Sequence, residues 1–432
     1  MSHRNIISHI IYALIFALIF YIILYIKMTS SGVNSGFFIF SYTIFITLFM
    51  LSRIGGSFLY KNYREKMSIK HKVKLLLGYE PSVSFVIPCK NEEKVIYNTM
   101  KKCFKSDYPS NKIEIIVIND GSDDNTLNEM LRFKKENPSL RLKIINFKKN
   151  RGKREGMYHG FKSAKGEIVI QVDSDSYPAK DSLRKIVAPF VDEKVGATVG
   201  HTTPSNKDKN VLTKMQMAYY FVSFRAMKSA ESIFDMVFCC SGCFSAYRKS
   251  YVMPKLDKWV NEKFRNRKII FGDDRALTNV ILRQGYKTVY VDEAQAYTIV
   301  PDTFKKFIKQ QIRWKKGWFI NSVRIIPFVI KNDKFVAFTY LIPQIIIAFA
   351  TPFIAFRALV LNPLFFGISP LIYITGIYLV SIMLYVHYSL YQEGEGKYGK
   401  YILLWSTLNL TLLSYIILYA IYDLKNMSWG TR

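Results

Sequence analysis

The sequence is poor in acidic residues and in cysteine. Among 432 residues, 61 are Lys or Arg and only 32 are Asp or Glu, which leaves a formal net charge of +29. The five cysteines are odd in number, and the CCSGC cluster at residues 239–243 has no second Cys/His pair to complete a tetrahedral site. These shortages argue against a zinc site and against a disulfide-stabilised extracellular domain, so we expect reduced thiols.

Two further features are missing. No recognised nucleic-acid-binding motif accompanies the positive charge, so we expect membrane lipids and anionic substrates as partners and no nucleic acid. No small-residue cleavage site follows the first apolar run, residues 6–26. That run is uncharged and about 20 residues long, enough to cross the hydrocarbon of a bilayer. It therefore predicts a membrane helix and not a signal peptide.

Long apolar segments are abundant at both ends of the chain. Residues 36–51, continuing to residue 60, would pair with the first run as a helical hairpin, and the flank that follows is strongly basic. Three later segments are also long enough to span a membrane: residues 336–361, 364–390 and 401–422. By the positive-inside rule, the basic flank and the central region after it are cytoplasmic. We therefore expect an integral, multi-pass protein of the plasma membrane.

Between residues 82 and 302 the pattern changes to alternating strands and helices. Four apolar runs have the composition of buried strands: residues 82–90, 112–120, 140–148 and 167–176. Helical segments separate them, and we expect Asn91 to cap the first. This alternation predicts an α/β fold with a mostly parallel sheet and helices on both faces. Ligands of such sheets bind beyond the carboxyl ends of the strands.

Polar side chains follow each of these strands. They are Asn91, Glu92, Asp120, Lys153, Arg154, Asp173 and Asp175. Asp173 and Asp175, spaced i and i+2 in VDSDS, can direct oxygens at one hard divalent cation, which could in turn hold a diphosphate. Each feature alone also fits a plainer interpretation, as a turn, a solvated basic loop or a pair of edge acids. Their convergence on one rim favours a binding site.

The stretch FGDDR at residues 271–275 places two carboxylates before a helical segment. Acids are favourable at a helix N-terminus, so Asp273 and Asp274 could simply cap that helix. The alternative is that one acts as a general base while its neighbour fixes the loop.

A second helical segment, residues 303–319, is amphipathic. Its apolar arc consists of Phe304, Phe307, Ile308, Ile312, Trp318 and Phe319. Most of its lysines lie outside this arc, with Lys315 as the exception, and Arg313 also lies outside. Such a helix is typical of the membrane interface, with Gln310 and Arg313 free to face an active site.

Eight segments together resemble a known family. They are FVIPCKNEE, VINDGSDDNT, NRGKREG, VDSDS, CSGCFSAYR, FGDDRALTNVIL, QQIRW and the terminal WGTR. In this order, over nearly the whole chain, they resemble the membrane-embedded processive glycosyltransferases of family 2. Within that family the chain is most similar to the hyaluronan synthases, with chitin synthases and nodulation chitooligosaccharide synthases as close relatives.

The resemblance implies a GT-A-type α/β glycosyltransferase domain inserted between transmembrane helices. The implied domains are a transmembrane hairpin at 1–60, a basic juxtamembrane linker or interface helix at 61–81, the cytoplasmic GT-A domain at 82–302, an amphipathic interface helix with QxxRW at 303–332, a transmembrane region at 333–425 and the WGTR tail at 426–432. Five spans would place that tail outside, whereas the family's tail acts inside. We therefore expect one late segment to be re-entrant or interfacial, and Pro343 and Pro352 make the first late segment the candidate.

The resemblance also implies residue roles. The implied catalytic set is Asp274 as general base with Gln310, Arg313 and Trp314 of QxxRW. The implied nucleotide-sugar contacts are Asp120, Lys153, Arg154, Asp173, Trp429 and Arg432. The implied acceptor contacts are Ser241, Gly242, Trp314 and Asp273. Asp175 would bind Mg²⁺ or Mn²⁺ on the diphosphate of the donor.

The implied function is polymerisation of UDP-sugars into a β-linked polysaccharide that is translocated through the protein's own membrane helices. Hyaluronan, from UDP-GlcNAc and UDP-GlcA, is the first expectation. Chitin or chitooligosaccharide from UDP-GlcNAc alone, or another family 2 polysaccharide, is the alternative. Two other hypotheses are a single-transfer enzyme acting on a lipid carrier, which QxxRW argues against, and a catalytically inactive membrane partner, which the retained acids argue against.

Overall fold

The computed structural model describes residues 37–70, 78–391 and 396–425, together with residues 18 and 21. Apart from residues 18 and 21, the expected span at 6–26 lies outside the described residues, as does the tail at 426–432.

The strands of the described chain are β1 Val83–Cys89, β2 Ile113–Asp120, β3 Leu142–Phe147, β4 Ile168–Gln171, β5 Ser176–Pro178, β6 Val195–Pro204, β7 Ser245–Arg248, β8 Lys263–Phe264, β9 Arg267–Lys268 and β10 Lys287–Thr298.

Eight of these strands form one mixed sheet in the order β3-β2-β1-β4-β7-β6-β10-β5, while β8 and β9 form a separate hairpin. Strands β1 to β4 are parallel, β7 runs antiparallel to both of its neighbours, and β6 pairs in parallel with β10. The expected α/β fold is confirmed. Strand β4 ends at Gln171, so Asp173 and Asp175 lie in the chain that leaves the sheet.

The helices are α1 Phe37–Lys70, α2 Ile96–Phe104, α3 Thr126–Glu136, α4 Lys153–Ser163, α5 Ser182–Val187, α6 Val211–Phe221, α7 Ser229–Ser232, α8 Lys249–Val260, α9 Asp273–Leu282, α10 Phe304–Asn332, α11 Lys334–Val336, α12 Ile342–Phe356, α13 Asn362–Phe366, α14 Leu371–Tyr391, α15 Tyr401–Leu408 and α16 Ile416–Tyr422. Helical turns of π type at Val222–Lys228, Ala337–Leu341, Arg357–Leu361 and Asn409–Leu413 join several of them.

Helices cover both faces of the sheet because its strands are apolar on both sides. Successive side chains of a strand point to opposite faces, and in β1 both Phe85 and Val86 are fully buried. Phe85 belongs to a core cluster that includes Met130 of α3, and Val86 belongs to a second cluster that includes Trp259 of α8. The two clusters hold the carboxyl ends of the strands in register.

The expectation that Asn91 caps the first helix is wrong. Helix α2 begins at Ile96, whereas Asn91 adopts φ 55° and its Oδ1 accepts a hydrogen bond of 2.9 Å from the backbone N–H of Asp123. Asn tolerates left-handed backbone better than most residues. Asn91 therefore turns the chain after β1 and ties it to the loop after β2.

Four helical segments of the described chain are long and apolar enough to cross a membrane. They are Ser41–Met67, Lys334–Phe366, Tyr373–Leu390 and Gly396–Lys425. They coincide with the four expected spans that fall within the described residues, and the chain is accordingly a membrane protein.

The first late segment is not broken at its prolines. It runs as a helix from Lys334 to Phe366, and its π turns, Ala337–Leu341 and Arg357–Leu361, flank Pro343 and Pro352. Such wider turns absorb local irregularity without ending a helix.

The last of the four segments is bonded at one end to the central domain and at the other end to helix α10. Near its start, Tyr398 Oη donates a hydrogen bond of 2.7 Å to Asp208 Oδ1, in the loop after β6. At its end, Asp423 Oδ2 lies 2.6 Å from Lys316 Nζ in α10.

Candidate active site

A cavity of about 1270 Å³ starts at the carboxyl ends of β1, β2 and β4 and continues between the membrane helices. The predicted site residues that line it are Asp120, Lys153, Asp173, Asp175, Ser241, Gly242, Asp273, Asp274, Gln310, Arg313 and Trp314. Arg154 does not line it, and Trp429 and Arg432 lie outside the described residues. The sheet therefore brings together side chains from segments far apart in sequence, while their individual roles stay predictions.

Asp120 organises the loop that precedes α4. Its Oδ1 accepts a hydrogen bond of 2.6 Å from the N–H of Arg151, and its Oδ2 accepts one of 2.9 Å from Gly152. Burial raises the pKa of Asp120, although these two N–H groups favour the carboxylate. Gly121, at φ 62°, lets the same loop approach closely, since a Cβ there would lie 2.5 Å from a backbone nitrogen of the loop. Lys153 is thereby fixed at the start of α4.

Lys153 and Asp173 form an ion pair on the cavity wall. Burial lowers the pKa of Lys153, but the carboxylates of Asp173, Asp273 and Asp274 outweigh it, so that the pKa is raised and the ammonium stays charged. The backbone of Gly242 passes directly over this pair. A Cβ at Gly242 would lie 2.9 Å from Asp173 Oδ1 and 3.0 Å from Lys153 Nζ, so any larger residue there would displace the ion pair.

The two adjacent acids of FGDDR have different surroundings. Asp273 is 4% exposed and accepts a hydrogen bond of 3.1 Å from Arg154 Nε, and Arg154 also donates to the carbonyl of Trp259 at 3.0 Å. Arg154 is itself 2% exposed, so it holds Asp273 from behind the cavity wall. Asp273 is therefore tied to the protein, whereas the neighbouring Asp274 remains at the cavity surface.

Asp274 is positioned by backbone groups. Its Oδ1 accepts a hydrogen bond of 2.8 Å from the N–H of Arg275, and its Oδ2 lies 3.4 Å from the N–H of Gly242. Cys239 Sγ lies 3.8 Å from the same Oδ2. The Asp274 carboxylate thus lies at the cavity surface beside the segment that carries Ser241.

Helix α10 docks on the loop that carries the two acids. A Cβ built on Gly317 would lie 2.8 Å from the Cα of Gly272, which has φ 68° and immediately precedes α9. Asn321 Nδ2 donates to the carbonyl of Gly317 at 2.9 Å and reaches that of Gly272 at 3.4 Å. This close backbone contact sets the distance between QxxRW and Asp274.

Arg313 brings a second cation to the site. Burial lowers its pKa, and the nearby carboxylates of Asp173, Asp273 and Asp274 act in the opposite direction. A guanidinium group keeps its charge even when its pKa is reduced, and its planar fork suits phosphate oxygens. Lys153 and Arg313 therefore place two positive charges on one cavity.

The residues present fit a divalent cation that arrives with a diphosphate. Among the described residues, no group of three or more His, Cys, Asp or Glu side chains could by itself hold a metal. Mg²⁺ is commonly held by one or two carboxylates together with substrate phosphates and water. Asp175, which lines the cavity, supplies a hard carboxylate donor, and Ser241 Oγ and Gln310 Oε1 are buried oxygens in the wall that have no protein partner.

Sequence reasoning missed two features of the site. The sequence suggests no more than a reduced thiol for Cys239, which lies beside Asp274. The only sequence signal for Gly317 is that it is a glycine inside an amphipathic helix. All five cysteines are free in the structure.

Comparison with known proteins gives a consistent result. A family model described as glycosyltransferase-like family 2 matches residues 81–317. The chain is 28% identical over 397 residues to a hyaluronan synthase of Streptococcus pyogenes serotype M1, covering 90% of each chain. It is 33% identical over 260 residues, 60% of each chain, to an N-acetylglucosaminyltransferase of Rhizobium meliloti (strain 1021).

One solved structure shares the fold. It is the mannosyltransferase PcManGT from Pyrobaculum calidifontis in complex with GDP-Man and Mn²⁺, with a TM-score of 0.54 and 17% identity, covering 88% of this chain and 100% of that chain. This likeness supports a GT-A-type architecture for the central domain.

Proposed function

The chain belongs to glycosyltransferase-like family 2, and we propose that it is a processive, inverting synthase that polymerises UDP-sugars and moves the product through its own membrane helices. The proposed product is hyaluronan, made from UDP-GlcNAc and UDP-GlcA. The observation that carries the proposal is the continuity of the cavity, which joins the acids at the strand ends, QxxRW and the membrane helices in one space. A single-transfer enzyme has no need of such a path.

The membrane part of the cavity suits a sugar chain. Its wall includes the polar side chains of Tyr42, Thr43, Gln344, Thr351, Tyr373, Ser381 and Asn409. Apolar residues such as Ile347 and Leu384 lie between them. Scattered hydroxyl and amide groups on an apolar wall can exchange hydrogen bonds with a moving chain of hydroxyl groups without holding any one sugar tightly.

We assign Asp274 as the general base. In the proposed step, its exposed oxygen takes the proton of the acceptor hydroxyl while the acceptor oxygen attacks the anomeric carbon from the side opposite UDP. The bond between that carbon and the diphosphate oxygen breaks, and UDP leaves with the bonding electrons. The N–H groups of Gly242 and Arg275 hold the carboxylate in place, which leaves the reacting atoms pre-oriented.

The positively charged side chains of the cavity wall would stabilise the leaving diphosphate. Arg313 and Lys153 are placed to offset the negative charge that develops on UDP. Asp175, with Asp173 beside it, would hold Mg²⁺ or Mn²⁺, which supplies further charge neutralisation when bound. Asp120 would contact the nucleoside end of the donor. Gln310 and Trp314 would contact the diphosphate and the acceptor. Ser241 and Gly242 would also contact the acceptor.

The C-terminal tail at 426–432 is proposed to lie on the catalytic domain's side of the membrane. The bond between Asp423, near the end of the last described segment, and Lys316 of the amphipathic helix α10 supports this proposal. Trp429 and Arg432 would then reach the bound nucleotide. A cytoplasmic catalytic domain at 82–302 accords with this arrangement, with an interface helix at 303–332.

A second candidate product is a chitooligosaccharide. The observation in its favour is the 33% identity to the rhizobial N-acetylglucosaminyltransferase, higher than the 28% identity to the streptococcal hyaluronan synthase but over a shorter stretch. The two products differ in donor requirement, because chitooligosaccharide needs UDP-GlcNAc alone.

The test is a donor-dependence assay on the purified, membrane-reconstituted protein. UDP release is measured with Mn²⁺ or Mg²⁺ and either donor alone or both together, and the product is digested with hyaluronidase or chitinase. Sustained release with both donors only, giving a hyaluronidase-sensitive polymer, is the expected result. Sustained release with UDP-GlcNAc alone would assign the chitooligosaccharide product, and no release under any mixture would contradict the enzyme proposal.

A further inference from the structure

Lys315 of helix α10 is a cation of the cavity wall that the reaction described above does not use. Lys315 follows QxxRW directly, is partly buried and lines the cavity. Within the described residues, it has neither a hydrogen-bond partner nor an ion-pair partner. Among the other described cations of the cavity wall, Lys306 and Lys309 are solvent-exposed, and Arg313 is attracted by the carboxylates of the reaction centre. The remaining ones bond to a carboxylate or a carbonyl; they are Lys90, Lys153, Lys209, Lys228 and Arg275.

The position of Lys315 is costly for the protein. It interrupts an otherwise apolar arc of α10, and an ammonium group taken out of water without a partner is destabilising. Burial lowers the pKa of Lys315 to about 8, with no carboxylate acting in the other direction. Arg313, only two residues away, does feel the carboxylates of the reaction centre. A cation placed without a protein partner is the arrangement expected where a ligand supplies the anion.

Lys315 points away from the diphosphate site. Successive residues of an α-helix turn by about 100°, so Lys315 and Arg313 project in nearly opposite directions. Residues i and i+4 share a helix face, and four residues after Lys315 the ring of Phe319 packs edge-on against Phe349 of α12 at 5.8 Å between centroids. The face that carries Lys315 is therefore turned to α12, a helix that lines the membrane part of the cavity.

We propose that Lys315 is a subsite for a carboxylate of the growing polysaccharide, at the point where the chain leaves the reaction centre for the membrane path. The inference rests on the proposed function and adds a residue that would recognise the product by its uronic acid carboxylate. Hyaluronan carries one carboxylate in every disaccharide, whereas chitin carries none. The polar residues described on the membrane helices of the cavity wall, such as Gln344, Thr351 and Asn409, are neutral, so Lys315 would bind each uronate as it passes.

The test is oligosaccharide binding by the full-length protein in nanodiscs. The probes are a hyaluronan hexasaccharide, chitohexaose and UDP, and the variants are Lys315→Gln and Lys315→Arg. Lys305→Gln is the matched control, because Lys305 lies on the same helix, is exposed and does not line the cavity. Dissociation constants are measured by calorimetry in zwitterionic lipid and again with anionic lipid added.

We expect Lys315→Gln to weaken binding of the hyaluronan hexasaccharide about tenfold or more, as for other hydrogen bonds to charged groups, and Lys315→Arg to restore most of it. Binding of chitohexaose and UDP should not change, and retained UDP binding shows that the variant is folded. An equal loss for chitohexaose, a loss of UDP binding, or no change for the hyaluronan probe would overturn the proposal. An effect seen only with anionic lipid would overturn it too, in favour of a lipid phosphate as the anion.

Failure of this inference is distinguishable from failure of the proposed function. The donor requirement of the unsubstituted protein tests the product, independently of Lys315. If both donors are required and Lys315→Gln binds the hyaluronan hexasaccharide normally, only the subsite is wrong. If UDP-GlcNAc alone supports polymerisation, the hyaluronan proposal is wrong whatever the binding data give.

Discussion

Substitution of Gly317 by alanine tests whether the contact between α10 and the acidic loop sets the reaction geometry. The added Cβ would lie 2.8 Å from Gly272 Cα and 3.2 Å from Gly272 N. Carbon atoms in contact need about 3.6 Å, so the helix and the loop must separate by roughly 0.8 Å. Overpacking of this kind costs about 1–3 kcal/mol.

The separation acts directly on catalysis because QxxRW lies on α10 and Asp274 follows Gly272. A misplacement of about 1 Å between reacting groups can lower a rate about 100-fold. We therefore expect Gly317→Ala to lower kcat for UDP release by roughly 50- to 100-fold. UDP affinity should stay within a few-fold, since Asp120 and Lys153 are held by other elements.

The assay is steady-state UDP release with both donors, paired with calorimetric UDP binding and a melting temperature. Gly55→Ala is the matched control, because a Cβ there meets nothing within 4 Å. Full turnover by Gly317→Ala would refute the reasoning. A loss of UDP binding in parallel with turnover would also refute it, since that result would mean general disruption of the domain.

Three further predictions concern the acids. Asp274→Asn should lower UDP release by about 10²- to 10⁴-fold, the usual contribution of a general base, with UDP binding retained; full activity would contradict the assignment. Asp175→Asn should raise the Mn²⁺ concentration needed for half-maximal activity, while EDTA abolishes activity of the unsubstituted protein; an unchanged metal requirement would remove Asp175 as the ligand. Arg154→Met leaves the buried Asp273 carboxylate unpaired and should cost about 3–5 kcal/mol of stability, measured by chemical unfolding; an unchanged unfolding midpoint would contradict a structural role for that pair.

Much of the site was predictable because parallel strands bring their carboxyl ends to one edge. Asp120 and Asp173 follow strands that are adjacent in the sheet to β1, and both line the cavity as expected. The period of apolar residues located these strands within a few residues of their observed ends. The prediction that Asn91 caps a helix was wrong because Asn is favoured both at helix N-termini and in left-handed backbone. The hydrogen bond with Asp123 stabilises the left-handed conformation here.

The different surroundings of the two adjacent acids could not be predicted from the local sequence. Nothing in FGDDR distinguishes Asp273 from Asp274, since both precede a helix. Arg154, which is 119 positions away, distinguishes the two acids because its side chain bonds to Asp273 and not to Asp274. A contact between segments so distant in sequence depends on how α4 and α9 pack, which no pattern within either segment contains.

Hydropathy likewise determined which segments prefer an apolar environment but not how each one lies. The last helical segment is as apolar as a membrane span, yet Tyr398 bonds to the loop after β6 and Asp423 bonds to Lys316 of α10. Composition and periodicity, which are local, thus determined the strands, the apolar helices and the family motifs of this protein. Tertiary packing alone decided which of the two acids is paired with Arg154, how closely Gly272 and Gly317 approach, and that Lys315 lacks a partner among the described residues. Each of these depends on distances between segments that are separate in the chain.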